Sequence, residues 1–372
     1  MAGGKLDKVM VRVLIADTVA REKATYLEQY EKIFKDNGIY YDLFLWDRDA
    51  DASTEKIGNC FWFHKKCTAG GGNKFKKIIP MFKYQKKLRE IIKEGNYSHL
   101  VLINSLAPVM IADLVLNKYK SRYILDVRDY TYEKYSWYLK IMRQLIESSF
   151  FTSISSRGFI KFLGESDKFI VTHNISNINK AVKTTNTTNN LKNKDVISIG
   201  FVGNVRYFEE NKKLIKVLDN QKFKLLYIGS IDEGCDIGEY CAKGKINNVE
   251  VHGKFNNGDK PTIYENIDII NSIYGDFSLE VTTALPNRLY DALLFKKPIL
   301  ASKGTYLGEI VEKYSVGLAV DLGKDDINEM LLEYINKIDI NKLYINIDIL
   351  LEKVMAEQNI YKEAVEKFVV KQ

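Results

Sequence analysis

Arginine, lysine and glycine at a strand-to-helix turn are residues that can hold phosphate, and one stretch of this chain gathers all three. It reads Gly200-Phe-Val-Gly203-Asn204-Val-Arg206-Tyr, followed by Phe-Glu-Glu-Asn-Lys212-Lys213. The glycines let the backbone turn tightly at the carboxyl end of a strand. The following helix turns its free N–H groups toward the same place. Arg206 can give a planar two-pronged contact to an anionic oxygen, and Lys212 or Lys213 can add a point charge. The bland alternative is a solvated helix start. A second stretch, Leu285-Pro286-Asn287-Arg288-Leu289-Tyr290-Asp291, also reads as a helix start. Pro286 fixes φ, and Asn287 is available as a cap. Asp291 falls in the first turn, where its carboxylate either accepts a pair of ribose hydroxyls or simply stabilises the helix N-terminus. Arg288 in the same turn can reach a phosphate. Neither stretch is GxGxxG or GxxxxGK[ST], so the phosphate loops of dinucleotide dehydrogenases and P-loop nucleotidases are absent.

The first half offers Ile124-Leu-Asp126-Val-Arg128-Asp129-Tyr130 at the end of a strand pattern. Asp126 or Asp129 can orient an acceptor hydroxyl or act as a base, and Arg128 can bind charge. An Asp–Arg pair that only ties down a loop explains the same letters. Thr172-His173-Asn174 reads as a hinge element. Asp47-Arg48-Asp49 has the letters of a metal-binding DxD but lies far in sequence from the phosphate candidates, so it reads as a solvated loop. Cys60, Cys67, Cys235 and Cys241 form no CxxC and no zinc spacing, even with His64 between the first two. No metal is expected.

These residues need elements to position them. The chain has 372 residues, 46% hydrophobic and 28% charged, which suits two globular domains and argues against disorder. Strand patterns at 11–16, 41–46, 99–104, 123–127, 151–155 and 168–173 alternate with helical patterns at 23–37, 74–94, 107–120 and 135–148. Residues 176–195, rich in Asn, Thr and Lys, read as an exposed linker. Strand patterns then resume at 197–202, 224–228, 249–252, 267–273, 298–301 and 317–320. Helical patterns lie at 211–220, 287–294, 308–313, 325–338 and 349–370. Alternation of this kind predicts parallel sheets covered on both faces. The expectation is α/β, with two Rossmann-like doubly wound domains facing a cleft. Residues 1–178 form an acceptor domain with helix 351–372 packed back on it, 179–195 the linker, and 196–350 a donor domain.

With the elements placed, the second half resembles the donor domain of bacterial GT-B glycosyltransferases related to family GT4. Leu285–Ser302 is similar to their PNKLFEY…GKPVIAS signature. Gly-Phe-Val-Gly203-Asn204-Val-Arg206 and Val249-Glu-Val-His252-Gly253-Lys254 occur in family order. The resemblance implies that Gly203, Asn204, Arg206 and Lys212 bind the donor diphosphate. It also implies that Asn287, Arg288, Leu289 and Asp291 form the ribose side. His252, Gly253 and Lys254 lie beside the base, and Gly229 and Ser230 wall that pocket. Many family members carry two glutamates seven residues apart. Here Thr283 stands in the first position and Asp291 in the second, so the sugar contact passes to Thr282, Thr283 and loop amides.

The resulting expectation is a metal-independent transferase without cofactor. It would move a hexose from a nucleoside diphosphate, UDP most readily, to a glycan or lipid-linked acceptor in surface polysaccharide synthesis, with retention. A nucleotide-sugar epimerase and a noncatalytic GT-B partner subunit are the rivals. Residues 62–93 carry Lys65, Lys66, Lys74, Lys76, Lys77, Lys83, Lys86, Lys87, Arg89 and Lys93 against Glu90, interleaved with Trp62, Phe63, Phe75, Ile78, Ile79, Met81 and Phe82. That pattern fits an anionic membrane surface, with a solvated helix face as the default. No nucleic-acid motif accompanies it. With no apolar run of about 20 residues and no signal-peptide pattern at the start, a cytoplasmic protein held peripherally at the inner membrane face is expected.

Overall fold

The computed structural model describes residues 11–67, 74–175 and 191–370. It divides into two compact units, Met1–His173 with Glu357–Gln372, and Asn174–Ala356.

The N-terminal unit holds an eight-stranded sheet. Its strands are β1 (Arg12–Ala16), β2 (Tyr40–Asp47), β3 (Glu55–Ile57), β4 (Cys60–His64), β5 (His99–Ile103), β6 (Tyr123–Val127), β7 (Phe151–Ile154) and β8 (Phe169–Val171). They lie in the order β3-β4-β2-β1-β5-β6-β7-β8. All pairs are parallel except β3 with β4. Period-two alternation sends Val13 and Ile15 to one core and Leu14 and Ala16 to the other, so both faces of β1 are buried. The helices are α1 (Leu27–Asp36), α2 (Lys74–Gly95), α3 (Leu106–Met110), α4 (Ala112–Lys118), α5 (Ser136–Ser148) and α6 (Ile160–Leu163).

Two details differ from the sequence expectation. The β3–β4 hairpin was not expected; it turns through Gly58, at φ +60°. The helix expected over 107–120 divides at Ile111, whose φ of −118° and ψ of 21° break the α geometry between α3 and α4.

The C-terminal unit has a six-stranded, wholly parallel sheet, ordered β11-β10-β9-β12-β13-β14. Its strands are β9 (Ile197–Val202), β10 (Phe223–Ile228), β11 (Val249–His252), β12 (Ile269–Ser272), β13 (Ile299–Ser302) and β14 (Gly317–Val320). Renumbered from its own first strand, the order is 3-2-1-4-5-6, the doubly wound arrangement whose switch point lies between β9 and β12. Helices α7 (Phe208–Val217), α8 (Ile237–Gly244), α9 (Lys260–Glu265), α10 (Leu279–Thr283), α11 (Arg288–Leu294), α12 (Tyr306–Tyr314), α13 (Ile327–Lys337) and α14 (Ile340–Val370) complete the described elements. Most of the expected linker, 176–190, lies outside the described residues. Its described end is not solvated throughout: Leu191 is buried in the C-terminal core and Lys194 pairs with Asp268 at 2.6 Å. The last helix starts at Ile340, earlier than expected, and its Leu343, Ile347, Leu350 and Val354 join the same core. Beyond them Tyr361, Val365, Phe368 and Val369 join a core of the N-terminal unit.

No helix among the described residues is long and apolar enough to cross a membrane. The four cysteines are buried and unbridged. Burial pushes the Cys60 thiol up to about 12, which makes it a poor metal ligand at neutral pH. Among the described residues no group of His, Cys, Asp and Glu is arranged to hold a metal ion.

Candidate functional site

The carboxyl ends of β9, β10 and β12 bring most of the donor-site candidates into one region. Gly203 ends β9 at φ +126° and Gly229 ends β10 at φ +138°, backbone that L side chains avoid. The two turns touch: a Cβ on Gly229 would lie 1.9 Å from the Gly203 carbonyl oxygen. The strand ends are stitched side by side, Gly203 N–H donating to Ile228 O at 2.9 Å and Gly229 N–H to His252 O at 3.2 Å. Val205 N–H then donates to Ser230 O at 2.7 Å. Glycine is thus required at 229 by contact as well as by dihedral.

Arg206 follows on the turn into α7. Its guanidinium faces Asp232 at 3.4 Å and Glu280 at 3.6 Å while 43% exposed. Exposed pairs this long contribute about 0–1 kcal/mol, so a phosphate can displace them. Asn204 is occupied by Asp232 at 2.7 Å. The turn itself is fastened by Asn211, a residue the sequence reading passed over. It is buried, and its Nδ2 donates to the carbonyls of Arg206 at 2.6 Å and Tyr207 at 3.0 Å. Tyr207 takes φ +60° there, packed edge-on against Tyr274. Lys212 turns to Glu209 at 2.7 Å and lies over the Phe208 and Tyr240 rings, and Lys213 pairs with Glu210 at 2.9 Å. Both lysines are therefore held by their own helix and its neighbour.

Arg288 occupies the switch point. It is buried, and its Nη1 donates to Val202 O at 3.1 Å, its Nη2 to the Tyr274 hydroxyl and its Nε to Ser272 Oγ at 3.4 Å. The guanidinium lies 3.8 Å over the Phe201 ring. Among the described residues no carboxylate stands within ion-pair distance of it. Burial lowers its pKa to about 10, which leaves it cationic at neutral pH. A buried cation whose direct contacts are neutral dipoles and ring faces has the chemistry to accept an anion. Tyr274, which helps hold it, is set by β13: Ser302 Oγ accepts from Tyr274 N–H at 3.2 Å and Gly275 N–H at 3.0 Å.

Asp291 lies in the first turn of α11 and is buried. Its carboxylate accepts from Lys260 Nζ at 2.9 and 3.1 Å and from the Tyr264 hydroxyl at 2.7 Å. Both partners come from α9, whose start is fixed by Pro261, and neither was singled out from sequence. The Lys260-Pro261 pair after a polar loop was the available signal. A carboxylate has about four acceptor sites and three are taken, so Asp291 can accept both ribose hydroxyls only by giving up a lysine contact.

The other candidates divide by exposure. Asn287 is exposed at the N-cap position of α11, but its side chain makes no capping bond, contrary to the expected cap, because its backbone is already α-helical. Leu289 is buried in the core. Thr283 is fully buried, its hydroxyl donating to Leu279 O at 2.6 Å. His252, Gly253 and Lys254 form an exposed edge after β11, His252 beside Glu250 at 3.3 Å. Gly229 is buried and Ser230 half-buried.

In the N-terminal unit Asp126 and Arg128 form a buried ion pair at 2.7 Å. Asp126 also accepts from the Tyr30 hydroxyl at 2.9 Å, and Arg128 lies 4.6 Å over the Tyr26 ring. Both side chains are buried and the pair fastens the loop after β6. Asp129 is the exposed member of the three. The switch point of this sheet, between β1 and β5, instead holds Asp17, which sequence reading missed although it directly follows the first strand. Asp17 is fully buried and accepts from the Tyr26 hydroxyl at 2.5 Å and Asn104 Nδ2 at 3.1 Å. Burial raises its carboxyl to about 7. His173 N–H donates to Gln358 at 2.8 Å and its ring meets Glu357 at 2.8 Å, so 172–174 abuts the last helix. Asp47 pairs with His64 at 2.9 Å at the end of β2.

With this geometry in place, comparison with solved structures is informative about the fold. Sucrose-phosphate synthase from Thermosynechococcus elongatus matches 96% of this chain and 94% of its own, at 13% identity and a TM-score of 0.64. Anabaena HepE in complex with UDP and glucose matches 96% and 100%, at 15% identity and a TM-score of 0.65. A trehalose-6-phosphate synthase studied with bisubstrate glycomimetics matches 96% and 99%, at 10% identity and a TM-score of 0.68. No family model matches the chain, and no curated protein does. The chain has the GT-B fold of these transferases.

Proposed function

We propose that the chain is a glycosyltransferase that moves a sugar from a nucleoside diphosphate to an acceptor. The observation that carries this reading is the buried Arg288 at the switch point, in ion-pair contact with no described carboxylate, with displaceable Arg206 on the turn after β9 and Asp291 one helical turn along α11. Two guanidinium groups suit a diphosphate, and a carboxylate at that spacing suits a ribose. The structurally similar HepE is described with UDP and glucose. That supports a uridine donor and a hexose. Similarity to GT4 enzymes in the sequence supports retention and a role in surface glycan synthesis.

Glycosyl transfer breaks the anomeric C–O bond through an oxocarbenium-like state. Charge then develops on the leaving diphosphate, and pre-placed cations stabilise it without reorganising. In this reading Arg206 and Arg288 supply that stabilisation, and Lys260 leaves Asp291 when the ribose arrives. Exposed Asp129 is the acceptor-side candidate in the N-terminal unit.

The test is turnover of UDP-, GDP- and dTDP-hexoses, followed by nucleotide release with and without acceptor mixtures. One UDP-sugar should be consumed, and Arg206→Ala should lower kcat/KM by about 100-fold, as removal of one charge-stabilising donor does elsewhere. Consumption unaffected by both Arg206→Ala and Asp291→Asn would sink the proposal. A second reading, a nucleotide-binding partner subunit without turnover, draws on buried Thr283, whose hydroxyl is spent on Leu279 O. Tight nucleotide binding with no sugar release under any acceptor selects it. A change of sugar configuration without acceptor would mark an epimerase.

A further inference from the structure

Lys260 opens α9, on the stretch that follows the carboxyl end of β11, and reaches across to α11. Its Nζ lies 2.9 Å from one oxygen of Asp291 and 3.1 Å from the other, and the Tyr264 hydroxyl donates to the second oxygen at 2.7 Å. The lysine is placed from several sides. Asp259 closes the preceding turn by accepting from Asn256 N–H at 2.9 Å, and Pro261 sets φ in the first turn of the helix. Tyr264 is fully buried and stacks on the Phe295 ring at 4.5 Å. Arg288, one turn back along α11, stands at the switch point.

The donors and acceptors of this group do not close on themselves. An ammonium has three N–H donors. Asp291 receives two of them, and among the described residues Lys260 has no other hydrogen-bond acceptor. The carboxylate in turn keeps one of its acceptor sites open. Little water reaches either group: the lysine side chain is 17% exposed and the aspartate 6%. An ion pair needed only to join α9 to α11 is served as well by apolar packing. A spare donor beside a spare acceptor suits a group that is both, and a hydroxyl is such a group. Two adjacent hydroxyls ask more. When both donate to Asp291, a lysine contact is given up, and the freed N–H needs a new acceptor. The oxygens of those same hydroxyls supply it.

We infer that Lys260 selects a ribonucleotide donor, turning from the carboxylate to the ribose hydroxyl oxygens while Asp291 accepts from the hydroxyls. The inference rests on the transferase reading and names the nucleotide class taken at that same site. A 2′-deoxyribose supplies only one of the two hydroxyls. An ammonium proton or a carboxylate lone pair then stays unpaired where water is scarce, and an unpaired buried polar group costs more than a made bond returns. A site built around a substrate hydroxyl rejects the analogue that lacks it for this reason. Sugar nucleotides of 2′-deoxyribose, the dTDP type, fall outside the class.

The experiment is calorimetric titration of wild type, Lys260→Met and Lys260→Gln with UDP, GDP and their 2′-deoxy forms. Wild type should bind its preferred nucleotide about 100-fold more tightly than the 2′-deoxy form. Methionine matches the lysine stem but has no donor, so in Lys260→Met the preference should fall to about tenfold, the share left to Asp291. Lys260→Gln keeps an N–H donor and should fall between the two; it stands in for Lys260→Met if that variant does not melt cooperatively. A wild-type preference below about tenfold, or a preference undiminished in the variants that fold, overturns the inference. Binding of UDP or GDP with equal binding of the deoxy form removes this inference alone and leaves the transferase. Binding of neither nucleotide removes the donor reading and this inference with it.

Discussion

At the scale of single residues, the chemistry of this chain turns on a few side chains whose surroundings sequence could not supply. Arg206 and Asp291 were legible because each follows a strand or opens a helix at a spacing suited to phosphate and ribose. Lys260 and Tyr264 were not, since they lie far from Asp291 in sequence and meet it only through α9. Asp17 was missed for a similar reason: its partners Tyr26 and Asn104 come from other segments. Its titration gives a clear prediction. An unfolded aspartate titrates near 3.9, while burial holds the folded carboxyl proton up to about 7. Between these values the folded state binds a proton that the unfolded state has released. Stability from this group is therefore present at about pH 4 and declines as pH rises to about 7, by on the order of 3 kcal/mol. Asp17→Asn should flatten the melting profile between pH 4 and 7 relative to wild type. Parallel profiles would show that Asp17 does not carry the proton. Gly229→Ala is a second case. Its φ of +138° and the 1.9 Å approach of a new Cβ to Gly203 O leave no space. Backbone strain alone costs about 1–3 kcal/mol, so the variant should melt lower and lose nucleotide affinity. An unchanged melting point would mean the β9 and β10 turns are not packed as described.

At the scale of elements, period and turn chemistry predicted most of what formed. Buried parallel strands read as apolar runs, and β1, β5, β6, β9 and β13 follow that rule. The short helices α9 and α10 and the β3–β4 hairpin escaped, because five or six residues carry too little periodicity to stand out. The last helix was foreseen, but its start was not. Its final turns put Tyr361, Val365, Phe368 and Val369 into the N-terminal unit, each no more than 3% exposed. At roughly 1.5–3 kcal/mol for each fully buried side chain, these four match much of a domain's typical stability of about 5–15 kcal/mol. Truncation after Ala356 should leave the N-terminal unit unfolded or aggregating, detected by loss of its cooperative melting transition. A truncated chain that melts as wild type would show these contacts to be dispensable.

At the scale of the whole molecule, alternation of strand and helix in two runs implied two doubly wound halves, and the chain has that GT-B architecture. Strand order was not legible, since pairing depends on crossovers that local pattern does not encode. It matters here because the 3-2-1-4-5-6 order puts Arg288, Arg206 and Gly203 at one switch point. The central claim is that this point binds the diphosphate of a nucleotide. Calorimetric titration with uridine, UMP and UDP tests it most directly, using wild type and Arg288→Met. UDP should bind at least 100-fold more tightly than uridine, with UMP between them. Arg288→Met should remove most of that gap while still melting cooperatively. Equal affinity for the three ligands, or a gap untouched by the substitution, would contradict the claim.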